Sequence, residues 1–261
     1  MTARSGLGLP SLKYTGWGVG FHDFNNDGML DVYIANGAVG RHETPFDPGD
    51  LYAEPNLLLR GTGKGRFDVS PSPEGVATRL IGSSRAAAFG DIDNDGDIDI
   101  VLVEQNAPAR VLRNTVGSRG HWAEFRVRGS QGRDAIGATL KIMLADGTTF
   151  YRQVETAYSF SSSNDARVHV GLAAADQIKR VEVTWPGGTR EQFGRLPPAS
   201  LRTCTGQGQR SVTRFGITAL RGPGRTAEFH DGARFHTMLA CGYSTSFQPS
   251  AFCCSGPCCV R

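Results

Sequence analysis

Asp23-Phe24-Asn25-Asn26-Asp27-Gly28-Met29-Leu30-Asp31 and Asp91-Ile92-Asp93-Asn94-Asp95-Gly96-Asp97-Ile98-Asp99 are two copies of one pattern, D-x-[ND]-x-D-G-x-x-D. Oxygen-bearing side chains at alternate positions converge on a point only where the chain curls, and the glycine permits the tight turn. Such a loop suits a hard cation, which takes roughly six to eight oxygens at about 2.3–2.6 Å. Recurrence in matched surroundings argues for a repeating unit that binds metal rather than for a catalyst. The candidate side-chain ligands stand at positions one, three, five and nine. They are Asp23, Asn25, Asp27 and Asp31 in the first loop, with the Met29 carbonyl at position seven. In the second they are Asp91, Asp93, Asp95 and Asp99, with the Asp97 carbonyl. Asn26, Asn94 and the Asp97 side chain then point away.

An EF-hand requires a bidentate Glu at position twelve and flanking helices. Position twelve is Ile34 and Leu102, and the flanks read as strands. The remaining alternative is a pair of Asx-rich turns holding no ion. Four carboxylates converging in the second loop repel one another without a cation, which favours metal. An all-oxygen cage with many ligands favours Ca2+ over Mg2+. With one more carboxylate, the second loop is expected to bind the tighter.

Working outward, Phe21-His22-Asp23 and Phe89-Gly90-Asp91 open units 68 residues apart, counted from Asp23 to Asp91. Short β-branched strands follow each loop, Val32-Tyr33-Ile34-Ala35 and Ile100-Val101-Leu102-Val103. Asn56-Leu57-Leu58-Leu59-Arg60 matches Arg110-Val111-Leu112-Arg113-Asn114 at an offset of 53, so the first unit carries 15 extra residues, placed between Gly40 and Pro55. Repeated β units of this size suggest propeller blades. Two cannot close the usual ring of about four to eight. The chain therefore reads as part of a longer propeller, or as one that partner chains complete.

After His121 the pattern becomes that of a compact β domain. Thr139 to Leu144 and Phe150 to Val154 flank Asp146-Gly147, a hairpin signal. Arg180 to Trp185 alternates and stops at Pro186-Gly187-Gly188. Ala173 to Asp176 suits one helical turn. The expected divisions are 14–117 for the blades, 119–197 for the second domain and 198–261 for an irregular tail.

The net charge of +3 arises in that tail. From Pro197 onward there are seven Arg against Glu228 and Asp231, leaving the rest of the chain near −2. The arginines do not cluster, which argues against a nucleic-acid partner. No apolar run reaches the length of about 18 residues that a membrane span needs. Met1 to Pro10 lacks the basic and apolar regions of a signal peptide. All six cysteines (Cys204, Cys241, Cys253, Cys254, Cys258 and Cys259) fall in the tail. Cys-Cys-x3-Cys-Cys is not a common structural zinc spacing. If oxidised, the six allow fifteen pairings.

No catalytic constellation emerges. His22 alternates with Asp23 and should face the other side. His42 lies in the insertion, in solvent, and His169 alternates with Val168 and Val170 as a strand residue. Ser161-Ser162-Ser163 lacks a nucleophile-elbow setting. Gly61-Thr62-Gly63-Lys64-Gly65 lacks Walker spacing and reads as a turn. Asn164-Asp165 suits a turn or strand-end bond, with a binding role open. Trp17, Trp122 and Trp185 read as core or blade-edge aromatics.

On these residues the chain resembles a known family. The segments Gly16 through Asn36 and Ala86 through Asn114 are similar to FG-GAP/VCBS repeats, the integrin-type propeller blades. The following stretch resembles the ASPIC/UnbV domain. It does so at Arg133-Asp134-Ala135-Ile136-Gly137-Ala138, at Ser163-Asn164-Asp165-Ala166-Arg167-Val168-His169-Val170-Gly171-Leu172 and at Val181-Glu182-Val183-Thr184-Trp185-Pro186-Gly187-Gly188. The order of the two is that of cartilage-acidic-protein-like proteins. The resemblance implies an all-β chain: incomplete propeller blades followed by a compact β domain. It implies calcium in both loops and a secreted or cell-envelope (periplasmic) protein whose signal peptide would lie upstream. A non-catalytic module for an extracellular protein or glycan partner is the expected function. The alternative is an accessory or tailoring role in natural-product biosynthesis. Past Pro197 the likeness fades, and the remainder reads as a frameshifted, non-native stretch or a divergent appendage.

Overall fold

The structure, a computed structural model, describes residues 2–70, 80–115, 120–196, 200–205 and 237–239. Its regular elements are almost all strands. Two four-residue helices, α1 (Thr2–Ser5) and α2 (Gly8–Ser11), precede them. The first blade contains β1 (Gly16–His22), β2 (Asp31–Asn36), β4 (Leu57–Gly63) and β5 (Arg66–Val69), antiparallel and in that spatial order. The two-residue β3 (Glu54–Pro55) leaves it to pair with β6 (Ile81–Gly82). The second blade contains β7 (Ser84–Gly90), β8 (Asp99–Glu104) and β9 (Arg110–Leu112).

The repeat holds at the level of register. Phe21 faces Val32 in the first blade, and Phe89 faces Ile100 in the second. Val32 then faces Leu59, as Ile100 faces Leu112. The spacing difference is absorbed in the connection after β2, where Gly37 bridges Ala53 and Asp47 bridges Asp50. His42, expected in solvent, instead lies 3.2 Å from the Glu54 carboxylate, which is buried.

Glycines bring the blades together. A Cβ on Gly18 would meet the Ala87 backbone nitrogen at 2.4 Å, and one on Gly20 would meet the Phe89 ring at 2.5 Å. Phe89 therefore seats on bare backbone, and Phe24, Tyr33, Ile98, Ile100 and Leu102 close the apolar layer around it. The two blades stack and form no closed ring among the described residues.

The second domain is built from β10 (His121–Arg128), β11 (Thr139–Leu144), β12 (Thr149–Gln153), β13 (Val168–Ala173), β14 (Ile178–Thr184), β15 (Arg190–Phe193) and β16 (Ser200–Thr205). One sheet has the order β13-β10-β16 and the other β12-β11-β14-β15. Period-two alternation sends Phe125 and Val127 from β10, Val170 and Leu172 from β13, and Leu140, Ile142, Val181 and Val183 from the opposite sheet into a shared core. Asp146-Gly147 turns the β11–β12 hairpin, with Gly147 at φ +95°.

Two expectations need correction. Residues 198–261 are not wholly irregular: β16 runs parallel to β10, and β17 (Thr237–Leu239) pairs with β9 to give the second blade a fourth strand. Cys204 on β16 is buried in the core, and burial pushes its thiol up to about 12. The other five cysteines lie outside the described residues. Ala173 to Asp176 forms a turn rather than a helical one, because Ala173 takes a left-handed φ of +52°.

Phe125 is fully buried between the two sheets. Phe125→Ala should lower unfolding stability by roughly 3–5 kcal/mol through lost burial and the cavity left behind, as measured by urea denaturation.

Candidate metal centre

Each acidic loop joins the first two strands of its blade, and the two are folded by the same hydrogen bonds. The position-one carboxylate accepts from the backbone N–H groups of positions five and six. Asp23 takes Asp27 N at 3.0 Å and Gly28 N at 2.8 Å, while Asp91 takes Asp95 N at 3.1 Å and Gly96 N at 2.9 Å. The position-nine carboxylate ties the loop to the blade. Asp31 accepts from Phe24 N and from Gly61 N in β4; Asp99 accepts from Ile92 N and from Asn114 N just past β9. Position five accepts from position seven, Asp27 from Met29 N and Asp95 from Asp97 N. Position four is Asn in both loops, at φ +58° and +60°, and position six is Gly at +87° and +91°. Asn tolerates the left-handed region better than most residues with a side chain.

Within this frame Asp91, Asp93 and Asp99 bring carboxylate oxygens within 4.8 Å of one another, a group that could hold a metal ion. Asp95 is not part of it. Its carboxylate is held by Asp97 N and, at 3.5 Å, by Arg113, which also pairs with Asp93. In the first loop Asp23 and Asp31 are buried, while Asn25 donates to Asp27 at 2.9 Å. The Met29 side chain lies over Gly61 and Gly63. Asn26 and Asn94 turn away from their loops. Asn26 reaches Gly96 O and the Asp97 side chain, and Asn94 accepts from Arg167.

Burial dominates the electrostatics. It pushes Asp23 up to about 7 and Asp31, Asp95 and Asp99 up to about 6, and it raises Asp91. Neighbouring loop carboxylates add to the rise at Asp23, Asp31, Asp95 and Asp99, and backbone N–H donors oppose it. Desolvated, mutually repelling oxygens with no nitrogen or sulfur among them fit a hard cation.

Sequence reasoning did not find the residues that press on these loops from the second domain. Alternate positions of one segment face them: Arg167, His169 and Gly171. Arg167 donates to Asn94 at 2.6 Å, to Glu124 at 2.8 Å and to the Asp91 carbonyl, and its Nε is fixed by Asp165 at 2.6 Å. His169 Nε2 lies 2.9 Å from Gly96 O, which makes that nitrogen the protonated one, and its ring stacks on Trp122. A Cβ on Gly96 would strike Trp122 at 1.9 Å, and one on Gly171 would strike the Asp23 carboxylate at 2.0 Å. Phe89 N donates to the Asn164 side-chain oxygen and Asp165 N donates to Phe89 O, so these residues join the second domain to β7. His22 stacks on Phe89 and meets the Tyr158 hydroxyl at 2.9 Å.

Stacked blades with acidic hairpin loops, followed by a β domain docked on them, define a class that comparison with known proteins bears out. Residues 23–102 match the model of the FG-GAP-like repeat, and residues 128–210 match that of the family described as ASPIC and UnbV. It is similar to cartilage acidic protein 1 of Xenopus tropicalis, 27% identical over 186 residues, and of Mus musculus and Homo sapiens, each 25% identical over 171 residues. The matches cover 64% of this chain and 25%, 25% and 24% of those proteins, so the chain spans about a quarter of their length.

Two outcomes follow from this geometry. Arg167→Ala leaves the buried Glu124 carboxylate without its cation and should cost about 3–5 kcal/mol in urea denaturation, with Glu124→Gln restoring part of the loss in the double variant. The metal-free chain should also lose stability as pH rises from about 5 to 8. The raised aspartates and Glu124, pushed up to about 8 by burial, bind protons more tightly folded than unfolded, a contribution lost above their folded values. His22 and His169, lowered by burial to about 3 and about 4, act in the opposite sense below their ordinary value but are outnumbered. Thermal melts of chelator-treated protein should therefore give a higher midpoint at pH 5 than at pH 8.

Proposed function

We propose that the chain is a non-catalytic, calcium-binding β-propeller module of a secreted or cell-envelope protein, serving recognition of an extracellular protein or glycan. The observation that carries the calcium reading is the duplicated loop. Two sequences 68 residues apart adopt one hydrogen-bond scheme around buried carboxylates, and the second gathers Asp91, Asp93 and Asp99. The ion would be held by Asp23, Asn25, Asp27, Asp31 and the Met29 carbonyl in one loop. In the other it would be held by Asp91, Asp93, Asp95, Asp99 and the Asp97 carbonyl. Calcium bound there would offset the carboxylate repulsion. The loops connect adjacent strands of each blade, and Asp31 and Asp99 tie them to the strand beyond, which supports a structural role for the ion. Similarity to cartilage acidic protein 1 and the FG-GAP-like repeat support the extracellular reading.

Titration calorimetry of the chelated chain should show calcium binding with little response to magnesium, and calcium should raise the melting midpoint at pH 8. Asp99→Asn should weaken binding by at least about tenfold, and by more than Asp31→Asn does, because the second loop carries the extra carboxylate. The reverse order would overturn the ranking of the loops. The absence of both heat and a melting shift would overturn the calcium reading itself.

A further inference from the structure

A cavity of about 340 Å³ lies between β1 and the strands β12 and β13, where the first blade meets the second domain. A water takes about 30 Å³ of liquid, so this space admits a small molecule but not a folded segment. Its lining includes Phe21, His22, Tyr151, Arg152, Tyr158 and His169.

Arg152 sets its chemistry. Arg152 Nε is buried with no hydrogen-bond partner, and the guanidinium makes no ion pair among the described residues. One Nη donates to the neighbouring Tyr151 carbonyl, and the group lies over the Phe150 ring at 5.6 Å. Burial lowers its pKa, and the nearby Asp23 carboxylate opposes that fall without forming an ion pair. A half-buried cation of this kind is favoured by an anion that meets it, and a planar fork is the partner for a carboxylate.

The remaining wall narrows the choice. His22 and His169 are each engaged, by the Tyr158 hydroxyl and the Gly96 carbonyl. Arg167 also lines the cavity but is already engaged by Asp165 and Glu124. Asp23, Glu155 and Asp165 stand in the same wall and disfavour a dianion such as phosphate more than a single carboxylate. Phe21 and Tyr151, which are 50% and 68% exposed, also line the cavity, and the Lys141 ammonium lies over the Tyr151 ring.

We propose that this cavity binds a small, ring-bearing monocarboxylate, its carboxylate on the Arg152 guanidinium and its ring against Phe21 and Tyr151. The assignment stands on Arg152 and the cavity and does not require the calcium reading.

The test is titration of the 261-residue chain with glucuronate, benzoate and inorganic phosphate, followed by calorimetry or ligand-observed NMR, in calcium and in chelator. Saturable one-to-one binding of either acid in either condition, with no saturation by phosphate, is the expected result. Arg152→Gln should weaken that binding at least tenfold while leaving the melting midpoint unchanged or higher, since it removes a half-buried charge that forms no ion pair among the described residues. Should that variant not fold, Arg152→Lys keeps the charge, loses the planar fork and should still weaken binding severalfold. Tyr151→Ala, at an exposed ring, should also weaken it. The proposal fails if neither acid saturates the parent chain, if phosphate binds as tightly as the acids, or if the folded Arg152 variant binds them as the parent does.

Discussion

A buried carboxylate that accepts two successive backbone N–H groups is the constraint on which the rest of this structure depends. Asp23 and Asp91 do this at the same point of each loop. A curled loop exposes N–H groups that the strands cannot satisfy, and a buried donor left alone costs about 1–3 kcal/mol. A carboxylate at position one satisfies two together, and position nine then anchors the loop to the next strand of its blade. The same arrangement packs ionisable oxygens away from water. The fold of the hairpin and its capacity to hold a cation thus arise from one feature.

That feature also governs how the second domain sits. The β7 edge of the second blade would present unpaired Ala87 and Phe89 backbone groups. Ser159, Asn164 and Asp165 satisfy them from the second domain, and Arg167, His169 and Gly171 then fall on the acidic loops. Edge capping and loop docking are one surface, so a change in the loops is felt at the domain junction. Gly171 makes the point in atoms: it is the lack of a side chain there that lets β13 touch Asp23.

The sequence disclosed what obeys a local rule. The D-x-[ND]-x-D-G-x-x-D pattern located both hairpins, and the offsets between Val32 and Ile100 and between Leu59 and Leu112 anticipated the register and the inserted connection. Strand alternation found the core of the second domain through Phe125, Leu140, Val170 and Val183. What it missed was long-range. The alternation that sent Val168, Val170 and Leu172 inward also set Arg167, His169 and Gly171 on the opposite face. An Arg, a His and a Gly sharing one face of a strand is a weak signal until the partner surface is known. β16 and β17 were missed for a similar reason. They complete sheets by pairing with distant strands, and nothing periodic in their own residues announces it.

Arg152 belongs to the same class of long-range residue, with a difference. Arg167 is half-buried and fully engaged, so its charge is explained by Glu124, Asp165 and the Asp91 carbonyl. Arg152 is drawn into the junction by the same docking and forms no ion pair there among the described residues. Asp23 is near enough to favour its charge, yet both Asp23 oxygens are committed to Asp27 and Gly28. A calcium ion in the first loop would draw further on those oxygens and leave the guanidinium less compensated still. The loop that rigidifies the blade would therefore also raise the positive potential of the adjoining cavity. Ion binding and the proposed anion recognition would then be linked through one junction, without a chain of intermediate residues to connect them.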